Sequence, residues 1–287
     1  MLQERIKTFY KGVQLPVVFS EQDRGFFKCC EPMKVLAGNG LESWKNDVSS
    51  AWIKTSDPSD SFTFKVVNSQ GLPVAGYVVS VNEFPNEAGA YYTTVNWLDI
   101  LNLEGAGCYS ILITYNIGGY SGAFTWGVYN LQPYTIENAI GTARLRVVFN
   151  LNQTIEGINF TGSNVQDSIR FKGQIDKDQP NTEIKNLTYR NRTVKTIVNE
   201  YLPTYLIETD PYTDEVLKKF ETLYLLSGNE IFISDYNAHS NSYEILDLPA
   251  SMLEGESPER EKPDQYSRAA VLTCKVGDRN INKRTFY

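Results

Sequence analysis

The 287-residue sequence predicts a mainly β protein with a minor α+β part: an N-terminal β-sandwich, then a β-rich domain with one helix packed on a sheet. Three observations carry this. Many short segments alternate apolar and polar residues with the period of two that half-buried strands need. Clusters of Gly, Pro and Asn separate them at short intervals. Only Asp210 to Gly228 shows strong helical spacing.

Residues 1–30 mix Pro, Gly and apolar runs, and Leu15 to Phe19 suits an edge strand because Pro16 is tolerated there. Residues 38–60 are polar, with Trp44 and Trp52 embedded and a loop at Ser56 to Asp60. Strands follow at Ser61–Asn68, Val74–Val81 and Tyr91–Val95, with turns at Ser69-Gln70-Gly71 and Pro85 to Gly89. Trp97, Leu98, Ile100, Leu101 and Leu103 supply apolar anchors. In Gly107–Tyr115, Tyr109, Ile111, Ile113 and Tyr115 share one face; Gly118-Gly119 turns the chain and Phe124–Tyr129 returns. The Gly107-Cys108-Tyr109 run ahead of an alternating strand resembles Ig-like and lectin-like sandwiches, where a Tyr packs a corner.

Residues 131–146 form a connection, and a soft boundary near 145 divides the chain into 1–144 and 145–287. Alternation resumes at Leu145, Val147 and Phe149, and again at Asp167–Ile175. Glu183–Tyr189 and Thr193–Val198 flank Arg190-Asn191-Arg192, a hairpin turn with Asn191 suited to positive φ. Tyr205-Leu206-Ile207 then opens a strand–helix–strand unit. Asp210 is its N-cap, Pro211 fits the first turn, and Val216, Leu217, Phe220, Leu223, Tyr224 and Leu226 form the apolar stripe. Gly228 caps the helix and Glu230–Ser234 alternates as a strand. Residues 249–265 make an acidic, Pro-containing loop. Ser267–Val276 closes the domain, with Ala270, Leu272, Cys274 and Val276 on one face.

Charge is uneven. The net is −7, yet residues 200–264 hold 15 acidic and 4 basic side chains, while residues 265–287 hold 1 acidic and 5 basic. An acidic middle and a basic tail can be complementary between copies of one chain, which makes Arg268, Arg279, Lys283 and Arg284 the candidate assembly interface. The absence of a basic patch outside the tail argues against sequence-specific nucleic-acid binding. No window approaches a membrane-spanning length of apolar residues. The opening Met1 to Gly12 is charged from Glu4 onward and has no apolar run, so no leader is expected.

The chemistry-bearing residues form no recognised constellation. Cys29, Cys30, Cys108 and Cys274 have neither disulfide-framework nor metal spacing, and suit reduced thiols in a cytoplasm. His239, the single histidine, lies in a polar loop with no G-x-S-x-G elbow to serve it. Asp167, Asp176 and Asp178, or Asp235 with Asp210, form no EF-hand-type loop and are better taken as surface carboxylates than as a Ca²⁺ site. No catalytic residue, cofactor or metal is expected. Trp97, Trp126, Tyr91, Tyr92 and Tyr120 either form a sugar-binding platform or pack between sheets, and packing is the commoner fate of such rings.

Four stretches, Asp167 to Gly173, Tyr189 to Arg192, Tyr205 to Thr209 and Ile233 to Asn237, resemble structural proteins of tailed phages that infect Bacteroidetes, including the crAss-like group. The resemblance covers residues 145–287. It implies a non-enzymatic component of the tail or neck, present as a ring of copies beside other virion proteins of the tail or portal vertex and assembled in the host cytoplasm. It implies no cofactor. The alternative is a glycan- or receptor-binding module carried by residues 1–144.

Overall fold

A computed structural model describes residues 33–285, except 41–44, 56–59, 118–119, 150–153, 156–157, 191, 214–215, 218–219, 226–229, 238–244, 263–268 and 280–281. It is β-rich with few helices. The N-terminal half holds two small sheets. In one, β1 (Met33–Ala37) runs parallel to β7 (Tyr120–Pro133), which pairs with β6 (Gly107–Ile117) and through it with β3 (Ser61–Asn68). In the other, β2 (Val48–Lys54) pairs with β5 (Ala90–Asn96), and β5 with the two-residue β4 (Asn82–Glu83).

The C-terminal half closes on itself. β8 (Thr142–Phe149) pairs with β11 (Val165–Thr188), β11 with β12 (Val194–Thr209), and β12 with β17 (Ala269–Asp278). β17 pairs in turn with β15 (Leu248–Met252), β15 with β14 (Glu230–Asp235), and β14 with β8. Every junction is antiparallel, so the six strands make a barrel without an open edge along its circuit. Alternation built it: Leu145, Val147 and Phe149 on β8, Ile231 and Ile233 on β14, and Ala270, Leu272, Cys274 and Val276 on β17 are all buried. Short strands lean on the barrel: β13 (Tyr212–Thr213) and β16 (Glu259–Glu261) on β17, and β18 (Asn282–Thr285) on β12. A separate hairpin joins β9 (Thr154–Ile155) to β10 (Ile158–Asn159).

Several expectations are corrected. The boundary near 145 falls inside β8, and one hydrophobic cluster runs from Val35 to Val276 through both halves. Trp52 joins them, with Trp126 at 5.4 Å and Phe160 at 5.5 Å. Helical structure is not confined to 210–228. The α-helix α1 (Trp97–Glu104) begins where Asn96 accepts from the Leu98 N–H, and ends where the Gly105 N–H reaches the Leu101 carbonyl. A four-residue α2 (Ile136–Ala139) bridges β7 and β8. Asp210 and Pro211 precede β13 rather than a helix. Phe220–Leu225 is π-helical, and it buries the predicted Phe220 and Tyr224. Val74–Val81 is no strand: at the close of its turn Pro73 bridges back to Val67, and most of the loop is exposed. Within the acidic 249–265 region, residues 249–252 belong to β15 and 259–261 form β16. Leu15 to Phe19, Trp44, Cys29, Cys30 and His239 lie outside the described residues.

One ion cluster joins the halves. Asp47, just ahead of β2, is 1% exposed and meets two barrel guanidiniums, Arg144 on β8 at 3.2 Å and Arg170 on β11 at 2.9 Å. Its Oδ2 also accepts from the Leu36 N–H at 2.8 Å. Arg144 and Arg146 both reach Asp247, at 3.3 Å and 2.7 Å. The cluster has one more cation than anion, and aromatic faces take up two of the cations: Arg146 lies 4.0 Å over Phe232 and Arg170 lies 4.8 Å from the Tyr236 ring centre. Burial acts to raise the Asp47 carboxyl, but Arg170 and Arg144 outweigh it and hold the group below the usual carboxylate range.

Two outcomes follow. Because removing one partner strands buried charge, Asp47→Asn costs about 3–5 kcal/mol in urea unfolding at pH 7. The native carboxyl has its pKa depressed by folding. Its contribution is therefore complete above the unfolded value of about 3.9 and is lost as pH falls from there through the folded value. The variant should lose less stability than the native chain between pH 4 and 3. Equal losses would refute the assignment.

Candidate assembly surface

β11 serves two partners in succession. Val165–Lys172 pairs with β8; from Gly173 onward the strand pairs with β12. Gly173 sits at the changeover with φ +147, and a Cβ there would stand 2.3 Å from the Glu208 carbonyl oxygen. Only glycine meets both demands without strain. Asn237, in the Asp235-Tyr236-Asn237 turn, donates its Nδ2 to the Gly173 carbonyl at 2.8 Å.

Past Asp178 the two strands leave the barrel. Asn181–Thr188 pairs with Val194–Leu202 as an arm about 30 Å long, with β18 added beside Val198–Tyr201. Irregularities in register fall between Asp178 and Asn181 and between Lys185 and Asn186. At its base Lys275 reaches Asp178 at 3.0 Å, and this hydrogen bond is the main reason that the Asp178 carboxyl lies below its ordinary range. Thr204 Oγ1 donates to the Gln179 carbonyl at 2.6 Å. The tip turns where the Tyr189 N–H meets the Thr193 carbonyl at 2.8 Å. Positive φ is found at Arg192, with φ 66; Asn191, expected to supply it, lies outside the described residues.

From Gln179 to Val194 every residue whose burial is described is exposed. Leu187 (46%), Tyr189 (47%), Val194 (61%) and Tyr201 (45%) are among the chain's exposed large apolar side chains. Among the described residues the outer side of β11 beyond Ile175 has no strand partner.

Three of the four candidate interface residues are among the described ones. Lys283 and Arg284 stand in β18 on the arm, paired in register with Glu200 and Asn199. Arg279 is engaged within the chain, donating to Glu230 at 3.3 Å and lying 6.0 Å from the Phe232 ring centre. Arg268 lies outside the described residues. The arm was half legible: its turn was, but the continuity of 24 residues in β11 was not, because the Pro180 region breaks the alternation.

The aromatic platform is corrected. Trp97 and Trp126 are buried, and their indole N–H groups donate to Ser49 Oγ and the Ser50 carbonyl, each at 2.9 Å. Tyr91 and Tyr92 are neighbours on β5 and so project to opposite faces, where Phe62 (4.9 Å) and Phe84 (4.8 Å) meet them. Tyr120 opens β7, and its side chain is outside the description. Trp97, Trp126, Tyr91 and Tyr92 pack against other rings or buried groups, and the Gly-x-Tyr corner packs too: Tyr109 donates to the Gly105 carbonyl at 3.0 Å.

Cys274 is buried, and desolvation pushes its thiol up to about 12. Asp167 is buried and accepts from the Ser168 N–H at 3.0 Å. Among the described residues no group of three or more His, Cys, Asp or Glu is placed to hold a metal ion, and no helix is long and apolar enough to cross a membrane. No protein-family model matches the sequence, and no curated protein matches it.

Two variants check this geometry. Gly173→Ala should destabilise the fold by about 1–3 kcal/mol through backbone strain, measured by urea unfolding. Trp126→Ala should cost about 3–5 kcal/mol through an unfilled cavity. A folded Trp126→Ala chain of native stability would contradict its burial.

Proposed function

We propose that this chain is a non-enzymatic structural subunit of a tailed-phage virion, present as a ring of copies in the tail or neck beside other virion proteins. The observation that carries the reading is the arm. Two strands that leave a closed, apolar-filled barrel and expose Leu187, Tyr189, Val194 and Tyr201 gain nothing for the fold of a single copy. Exposed apolar side chains on a projecting element mark an interaction surface. The barrel suits the same role. Its interior is occupied by side chains, and the ion cluster fixes the N-terminal sheets to it, so the subunit can act as a rigid block.

The tail or neck position rests on the resemblance of Asp167 to Gly173, Tyr189 to Arg192, Tyr205 to Thr209 and Ile233 to Asn237 to phage structural proteins. Three of these stretches sit at critical points of the geometry: the strand before the changeover, the arm tip and the turn that holds Gly173. The glycan-binding alternative loses two of its rings to the core, Trp97 and Trp126.

Light scattering on the purified chain, with electron microscopy of the particle, tests the reading. Multimers in solution and density around the tail axis are expected. A chain that stays monomeric at high concentration, or that lies away from the tail and neck, would sink it.

A further inference from the structure

The arm and the opposite end of the barrel carry opposite charge. Residues 181–201 and 282–285 hold six basic and two acidic side chains, a net of +4 in a chain of −7. The arm emerges beside Gly277, which pairs with Thr204. The far end is marked by Thr273, which pairs with Glu208 on one side and Glu259 on the other. There Glu208, Asp210, Glu259 and Glu261 are exposed, against exposed Lys172 and Lys262. Arg260 adds no net charge, because Glu221 holds it at 2.5 and 2.7 Å.

An arm cannot reach the glutamates of its own chain. Along β12 the tip lies about 45 Å from Glu208, and the ladder between them is continuous but for two irregularities. Pairing of one arm with another would set +4 against +4, which disfavours the outer β11 edge as the contact. The complementary surface is the far end of another barrel.

We propose that the arm of one copy docks on the far end of a second copy, with Arg190 and Arg192 at its tip facing Glu259 and Glu261. Tyr189 and Val194 supply the apolar contact beside them. The contact joins two different surfaces, so it repeats from copy to copy and gives a ring or an open filament rather than a closed pair. This inference rests on the assembly reading above and specifies its interface.

Charge reversal tests it on the full chain. Sedimentation velocity is measured for the native protein, for Arg190→Glu with Arg192→Glu, for Glu259→Lys with Glu261→Lys, and for all four together. The four sites are exposed, and circular dichroism confirms the fold of each variant. Each pair alone should weaken self-association at least about tenfold, and the four together should restore most of it. If the native chain assembles and either pair leaves assembly unchanged, or the four fail to restore it, the docking is wrong while the assembly reading survives. If the native chain does not assemble at all, both fall.

Discussion

The buried carboxylate of Asp47, gripped by Arg144 and Arg170, is the constraint on which the rest of this structure depends. A charge this deep is tolerable only with partners in fixed geometry. Those partners lie on two adjacent barrel strands, so the loop ahead of β2 is placed to within hydrogen-bond tolerance. The neighbouring contacts follow from that placement. Ser168 Oγ donates to the Val48 carbonyl at 2.8 Å, and Ser50 Oγ donates to the Gln166 carbonyl at 2.5 Å. Trp126 then closes over Ser50, and the aromatic layer around Trp52 packs between the sheets and the barrel. An apolar interface of the same area would hold the two halves together without choosing their register; the ions choose it.

The barrel solves one problem of β structure and the arm reopens it. Closing six strands removes the open edges that invite aggregation. The arm then presents two strands with a bare flank. Its defences are local: irregular register on either side of Asn181, Pro180 within the first irregularity, and a surplus of positive charge. These devices discourage pairing with the same element while leaving apolar side chains available to a different surface. On the assembly reading proposed above, selectivity of this kind would let repeated copies join through two different surfaces.

Much of the fold was legible in the sequence where one face of a strand is buried. Gly107–Ile117 and Ala269–Asp278 show clean alternation because each has a single core-facing side. Legibility failed where tertiary contacts override the local signal. Val48–Lys54 is buried on both faces, so its Ser, Ala and Trp residues show no period. The helix from Trp97 has a good Asn cap and a Gly stop, but it spans only eight residues and follows directly on a strand. Residues 210–228 carry a helical pattern, yet the first part pairs as β13 with β17. At the candidate surface, the hairpin turn was visible and the reach of the arm was not. Paired residues in a free-standing hairpin have no buried face to impose alternation. The charged residues were visible as a count, but their separation to opposite ends depends on which strands the ladder places side by side.

The arm also has a mechanical meaning. Its strands continue without interruption into the barrel wall, so a pull along the arm loads the β11–β8 and β12–β17 ladders in shear. Strands sheared lengthwise must break many hydrogen bonds at once, whereas strands peeled apart break them singly. A pull at the tip therefore passes through Gly173 into β8, and from there to the Asp47 cluster. The ion cluster that sets the register of the two halves is also the anchor point of the lever.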